Sequence, residues 1–440
     1  MTTALRTDRY ELTMLEAALR SGRAGRDCVF EVFGRRLPGG RRYGVLAGTG
    51  RVLDAITAFR FGQPELDWLA DERVVDDATL AYLAGYRFRG QVEGYREGEV
   101  YMPGSPLLSV RGTFAEAVLL ETVVLSVLNY DSAVATAAAR MVSAAEGHPI
   151  AEMGSRRTGE YAAVAAARAA YIAGFSATSN LEAGRTWGIP TMGTAAHAFT
   201  LVHDSEEEAF RAQVAALGVG TTLLVDTYDV RRGVEAAVRV AGPQLGGVRL
   251  DSGDLPTLVR ETRAQLDALG ATGTRITVTS DLDEHAIAAL RGSPVDAFGV
   301  GTSVVTGAGA PASGFVYKLV ARRDGDGEWM PVAKNSVGKR SVGGAKRAER
   351  LLRDGVAVAE RVVVDDDGDG VPESHAAVAA GTTARALTVT LMRDGEPDAR
   401  WLGPAGVAIA REHCAAAVAE LPPAALRLSP GDPALPVLSD

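Results

Sequence analysis

Cysteine is nearly missing from this chain: Cys28 and Cys414 are the only two among 440 residues. Two thiols cannot build a disulfide framework or a four-thiolate zinc site, and the scarcity fits a reducing cytoplasm. Long apolar runs are also lacking. No stretch reaches the roughly 20 apolar residues of a membrane span, and the alanine-rich segment 161–173 is too short and carries Arg168. The opening MTTALRTDRYELTM has no apolar core of signal-peptide length. Excess positive charge is absent too. A net charge of −9 disfavours nucleic acid or an anionic membrane as the main partner, while leaving room for a local basic pocket. What remains is an ordinary globular balance, 47% hydrophobic and 23% charged. The chain is too long for one core, so two domains are expected.

The first hundred residues read as α+β, with a helix over 10–19, strands over 28–33 and 91–101, and turns at Pro38-Gly39-Gly40 and Pro103-Gly104. Thr113 and Glu116 form a capping-box pattern ahead of a long apolar helix over 115–130, continued by 133–145 and stopped by Gly147 and Pro149. From Ile150 the texture changes. Eight short apolar runs recur, beginning at Ile150, Ile172, Ile189, Thr221, Gly247, Arg275, Asp296 and Phe315, most of them followed by a helical stretch. That spacing predicts a parallel (β/α)8 barrel; an open doubly wound sheet is the alternative and would need fewer parallel strands. The expected organisation is an N-terminal α+β domain over 1–112 joined by 321–440, a barrel over 113–320, and a proline-rich extended tail over 421–440.

Barrel chemistry sits where strands end and loops begin. The ends of these runs are polar: Glu152, Arg156 and Arg157; Thr178, Ser179 and Asn180; His197; Asp226 and Asp229; Arg249, Asp251 and Asp254; Asp281 and Asp283; Gly299, Gly301, Thr302 and Ser303; Lys318. His197 follows a Gly-Thr turn among small alanines and can act as base, ligand or nucleophile. Cations and acids around one mouth suit a polyanion carried with Mg²⁺, since arginines grip phosphate bidentately and aspartates hold the metal or its waters. Each piece has a bland counterpart: a structural histidine, a solvated arginine pair, a plain helix cap for DSGD. Only their joint occurrence at successive strand ends carries weight. Asp365, Asp367, Asp369 and Gly370 open like a calcium loop, but position twelve is Ala376, so the closing glutamate is missing. The basic run 334–350 reads as a solvated face or a phosphate-facing loop.

Taken in order, TDRYELTM, LLETVVLSVLNYDS, EMGSRRT, ATSN, GTAAH, RLDSGD, SDLDE and FGVGT resemble the nicotinate phosphoribosyltransferase family over residues 7–350. The resemblance implies a type II phosphoribosyltransferase-like barrel. It also implies an ATP-dependent ligase that makes nicotinate mononucleotide and pyrophosphate from nicotinate and phosphoribosyl pyrophosphate, in NAD salvage. It places a phosphohistidine on His197. Asp251 and Asp281 match the family's ribose- and Mg²⁺-linked acids, directly or through water, and Gly301 and Thr302 match its 5′-phosphate site. Arg156 suits the departing pyrophosphate, with Arg157 and Lys318 as further phosphate contacts. Arg249 precedes Asp251 by two, which on a strand puts both on one face, so its guanidinium can meet the nicotinate carboxylate. By family analogy Tyr10 stacks on the pyridine ring from a neighbouring subunit, making the active site shared across a homodimer. Met153 stands where relatives often carry an aromatic residue; a thioether can still pack on the ring.

Three rivals remain. A nicotinamide phosphoribosyltransferase favours an acid where this chain has Ser179, and Ser179 with Arg249 fits a carboxylate better. A Schiff-base aldolase would use Lys318. A silent phosphoribosyl-binding sensor would bind without turnover.

Overall fold

A computed structural model describes residues 2–334, 342–365 and 381–439. The chain forms two compact units, Met1–Thr136 with Ala310–Asp440, and Ala137–Gly309.

In the first unit, the sequence 28–33 lies within a strand, Asp27–Gly34, that is almost entirely buried. It sits inside a seven-stranded sheet in the order Trp329–Pro331, Phe315–Arg323, Asp27–Gly34, Leu108–Thr113, Gln91–Tyr95, Thr388–Arg393, Glu396–Pro397. All of these neighbours run antiparallel. Phe30 and Tyr317 stack across the first of these ladders, with ring centroids 4.9 Å apart. The TDRYELTM segment builds the helix Arg9–Arg20, which buries Leu12 and Leu15. Glu11 on that helix is also fully buried, and its carboxylate accepts the Thr122 N–H at 2.8 Å, so it caps the helix Glu121–Ala145 from a distance. A second sheet holds Thr382–Ala386, Ala345–Arg353, Val356–Asp365 and Val437–Ser439. Lys346 and Arg350 of the expected solvated face are buried there, on Glu31 at 3.1 Å and Glu360 at 3.2 Å. Residues 335–341 of that basic run, and 366–380 with most of the calcium-like turn, lie outside the described residues.

The second unit is a parallel sheet interleaved with helices. Its order is Ala177–Thr178, Ile150–Glu152, Ala297–Val300, Arg275–Val278, Gly247–Leu250, Thr222–Leu224, and a single parallel bridge between Thr178 and Thr191 adds a seventh position. These runs are short because covered parallel strands need only a few apolar residues each. The last strand pairs directly with the first, Phe298 opposite Ile150 and Val300 opposite Glu152. Gly299 permits this closure: a Cβ there would meet Thr279 Cγ2 at 2.6 Å and Met153 Sδ at 2.8 Å.

The α/β class stands, with three corrections of detail. First, the eighth expected strand is not in this ladder. Phe315–Arg323 belongs to the antiparallel sheet, and it buries Phe315 and Tyr317 while Val316 and Lys318 stay partly open. That alternation is the mark of a strand covered on one face. Second, the boundaries move from 112/113 and 320/321 to 136/137 and 309/310. Leu119, Leu120, Val124 and Leu128 bury themselves in the first unit's core and take the front of the long helix with them. Third, the tail after 421 ends in a strand, Val437–Ser439, paired parallel with Val356–Asp365. The helix Glu121–Ala145 is long and apolar enough for a membrane span, contrary to the sequence reading, but 67% of its apolar window is buried within the protein, as a core helix requires.

Candidate active site

The carboxyl ends of parallel strands gather on one rim. At the end of Ile150–Glu152, Glu152 is wholly buried. Its carboxylate accepts the Thr178 hydroxyl at 2.6 Å and the Gly154 N–H, and burial pushes its pKa up. Glu152 therefore ties two strand ends together. Asn180 donates to Ser155 Oγ at 3.0 Å and caps the helix Leu181–Trp187 through Ala183 N–H at 2.9 Å. Arg156, Arg157 and Ser179 are left exposed, and Met153 half-buried against Gly299.

His197 opens the short helix His197–Leu201. Its Nδ1 lies 3.1 Å from Thr227 Oγ1, and its Nε2 lies 3.9 Å from both Asp226 Oδ1 and Asp251 Oδ2. Asp226 is buried. Its Oδ2 accepts the Asp251 N–H at 2.8 Å and the Ser252 hydroxyl at 2.9 Å, while Oδ1 has no hydrogen-bond partner. Asp251 accepts the Thr279 hydroxyl and stands 3.8 Å from Arg249 Nη2. Arg249 Nη1 donates to Thr194 Oγ1 and, at 3.3 Å, to the Ala195 carbonyl, so this guanidinium also holds the loop that presents His197. Burial lowers the Arg249 pKa, and the charge of Arg156 acts in the same direction, which puts both arginines within electrostatic reach of each other.

Gly301 and Thr302 stand where the last strand gives way to the helix Thr302–Val305. A Cβ on Gly154 would meet Val305 Cγ1 at 2.2 Å and the Gly301 carbonyl at 2.9 Å, so this corner tolerates only glycine. Asp281 lies on the loop after Arg275–Val278, beyond Ser280, whose φ of 124° is rare for a residue with a side chain. Asp281 is exposed, and no hydrogen bond or ion pair ties it to His197 or Asp251. Asp229 and Asp283 cap helices, through Arg232 N–H at 2.9 Å and Ala286 N–H at 2.8 Å.

Lys318 lies on the strand Phe315–Arg323 of the first unit's antiparallel sheet, 3.3 Å from Glu121, and not at the end of a parallel strand. Tyr10 is also in the first unit, 45% exposed on Arg9–Arg20; burial and then Glu121 raise its pKa. A cavity of about 750 Å³ in the same unit, lined by Arg96, Arg393, Arg400 and Trp401, contains none of the expected residues. Among the described residues no group of three or more His, Cys, Asp or Glu side chains forms a ready metal cage. Sequence reasoning missed Thr194, Thr227 and Glu206. Glu206 has a buried Oε1 without a partner, and burial, then Asp226 and Asp229, raise its pKa to about 7.

Over 98% of its length this chain aligns with the solved human nicotinic acid phosphoribosyltransferase, covering 97% of that chain with a TM-score of 0.81 and 27% identity. The fold also matches a nicotinate-nucleotide pyrophosphorylase from Pyrococcus furiosus, TM-score 0.76 at 24% identity over 95% of each chain. These likenesses define the class, a type II phosphoribosyltransferase fold. Residues 5–129 match the family model for the nicotinate phosphoribosyltransferase N-terminal domain. The chain is 56% identical to nicotinate phosphoribosyltransferase pncB1 of Mycobacterium tuberculosis over 98% of its length and 94% of that protein's. It is 39% identical to the Bacillus subtilis nicotinate phosphoribosyltransferase over 79% of this chain and 73% of that one. It belongs to the nicotinate phosphoribosyltransferase family.

Proposed function

We propose that this chain condenses nicotinate with phosphoribosyl pyrophosphate, giving nicotinate mononucleotide and pyrophosphate for NAD salvage, and that ATP hydrolysis is coupled to the reaction through a phosphate carried on His197. The observation that carries this reading is the meeting of His197 Nε2, Asp226 and Asp251 within 3.9 Å, with Arg249 at 3.8 Å from the same Asp251.

Substitution at the anomeric carbon develops positive charge on the sugar and negative charge on the leaving pyrophosphate. Asp251 faces the first need. Arg156, exposed and near Arg249, faces the second. The buried Arg249 guanidinium offers a fork for the nicotinate carboxylate, and Ser179, which has no negative charge to repel it, favours the acid over the amide. Gly301 and Thr302 would take the 5′-phosphate. Mg²⁺ suits the donors present: among the described residues Asp251 Oδ2 accepts no hydrogen bond and the exposed Asp281 has no ion pair, and this ion needs only one or two carboxylates besides substrate phosphates and water. When bound by Asp251 and Asp281 it would offset charge on the pyrophosphate. A cytoplasmic homodimer, with Tyr10 reaching a neighbouring subunit's pyridine ring, completes the reading.

Incubation with ATP labelled at the γ-phosphate tests it. Acid-labile label is expected on His197 and is expected to vanish in His197→Asn; label surviving that change refutes the assignment. A silent sensor would take no label. A higher kcat/KM for nicotinamide than for nicotinate would overturn the substrate choice.

A further inference from the structure

A ring exposed on the first turn of a helix needs an anchor, because the N–H groups of that turn have no partners inside the helix and the turn frays. Tyr10 is such a ring, 45% exposed at the second position of Arg9–Arg20. The usual anchor is lacking, since the N-cap Asp8 makes no side-chain capping hydrogen bond. The next residue does the holding. Glu11 is wholly buried. One of its oxygens accepts the Thr7 hydroxyl, from the chain entering the helix; the other accepts the Thr122 N–H at 2.8 Å and the Thr122 hydroxyl. Thr122 lies in the first turn of Glu121–Ala145, the helix whose front half packs in this unit's core. Its neighbour Glu121 faces the Tyr10 hydroxyl, and the Lys318 ammonium at 3.3 Å. Tyr10 and Glu11, consecutive on one helix, are thus held by two consecutive residues of another. A buried carboxylate answered by uncharged donors is a poor device for stability alone, because an apolar side chain would fill the space at less cost. What the carboxylate secures is position.

We propose that Glu11 is a positioning residue: through Thr122 it fixes the turn that carries Tyr10, and so sets where that ring stands against the pyridine ring of nicotinate. The inference rests on the reading above that Tyr10 stacks on the pyridine, and adds what holds it there. Glu11 touches no substrate in this role, and its effect is confined to one of them. Without it Tyr10 is still on the chain but swings with a frayed turn. The stacking geometry is then populated in only a fraction of molecules, and the apparent affinity for nicotinate falls by that fraction. Binding of phosphoribosyl pyrophosphate and the chemistry at the anomeric carbon do not use this ring and are left as they were.

Steady-state kinetics of the full-length enzyme, with nicotinate and phosphoribosyl pyrophosphate varied in turn, test this in a double-mutant cycle with Tyr10. Glu11→Leu is expected to raise KM for nicotinate about tenfold, as the loss of one or two hydrogen bonds suggests. The other KM and kcat are expected to stay within about twofold of wild type. Glu11→Gln, whose amide oxygen can still accept the Thr122 N–H, is expected to bring KM for nicotinate back to within about threefold. In a Tyr10→Ala background, Glu11→Leu is expected to add nothing further. An equal factor with and without Tyr10 overturns the proposal, because a residue that merely supports the fold acts in both. An unchanged KM for nicotinate in the leucine variant overturns it too, as does a rise shared equally by both substrates. Tyr10→Ala with an unchanged KM for nicotinate fails the underlying stacking reading instead, a distinct result seen before any Glu11 variant is made. If the leucine chain does not fold, Thr122→Val removes one donor to Glu11 and keeps the N–H. It is expected to raise KM for nicotinate about threefold, and only where Tyr10 is present; no rise, or a rise without Tyr10, overturns the proposal.

Discussion

Each unit of this protein holds a carboxylate, an arginine and a histidine in one place, and the two groups are finished differently. In the first unit, both oxygens of the buried Glu99 are filled. Arg385 donates at 2.8 and 3.1 Å, His413 sits at 2.8 Å, and the Val100 N–H reaches the same carboxylate at 3.2 Å. In the second unit, Asp226 is equally buried but satisfied on one oxygen only, and His197 stops at 3.9 Å. A closed group spends its hydrogen bonds on the fold. An open one keeps a carboxylate oxygen and an imidazole nitrogen for a ligand.

The largest expected effect comes from breaking the closed group. Burial alone would raise the Glu99 pKa, but the hydrogen bonds from His413 and Arg385 outweigh it and hold it at about 2. A folded value below the ordinary 4.5 adds stability that is fully present above pH 4.5 and lost as pH falls toward 2. Glu99→Ala leaves Arg385 without its main partner and is expected to cost about 3–5 kcal/mol at pH 7. Urea melts at pH 7 measure the loss, and a cost below about 1 kcal/mol would remove the contrast. Opening the other group acts on rate. His197→Asn is expected to lower ATP-coupled turnover roughly a hundredfold or more, with a melting temperature close to wild type, because the side chain is 39% exposed and makes one hydrogen bond. A variant that unfolds instead would move His197 into the scaffold class.

Arg249 sharpens the comparison, since it does both jobs. It holds Thr194 and the Ala195 carbonyl through Nη1, while its Nε has no partner and its Nη2 reaches only Asp251, at 3.8 Å. Arg249→Lys keeps the charge and loses the fork. We expect KM for nicotinate to rise about tenfold to a hundredfold, in line with a lost charge-assisted hydrogen bond, with a smaller change in KM for phosphoribosyl pyrophosphate. Steady-state kinetics decide it: an equal rise in both would show a collapsed loop instead of a lost carboxylate contact.

The same contrast explains what could be read from sequence. The parallel strands were legible because short apolar runs ending in polar residues recur at βα spacing. The run at Phe315 imitates them, and only its alternation, with Phe315 and Tyr317 inward and Lys318 sideways, betrays a strand of the other sheet. That imitation is why Lys318 reads from sequence as the end of a parallel strand, when its strand belongs to the antiparallel sheet. Arg249 and Asp251 were legible from their spacing of two. Thr227, between two aspartates, and Glu206, in a helix's first turn, look like ordinary capping residues, and three-dimensional proximity alone gives them other work. Glu99, Arg385 and His413 are too far apart in sequence for any local pattern to join them.

The smallest expected effect tests whether the open group has a reserve proton. Glu206 opens the helix Glu206–Leu217, and its Oε1 is buried without a partner. Burial, then Asp226 and Asp229, raise its pKa from the ordinary 4.5 to about 7. The sign is opposite to that of Glu99. A raised folded value favours the protonated folded state, so stability is greatest below pH 4.5 and is lost as pH climbs through 7. Glu206→Gln keeps the shape and removes the ionisation. It is expected to raise the melting temperature at pH 8 by a degree or two while leaving it nearly unchanged at pH 5. Thermal melts at the two pH values read this directly. An equal shift at both would mean that the glutamine acts through hydrogen bonding, and that Glu206 carries no proton beside Asp226 at neutral pH.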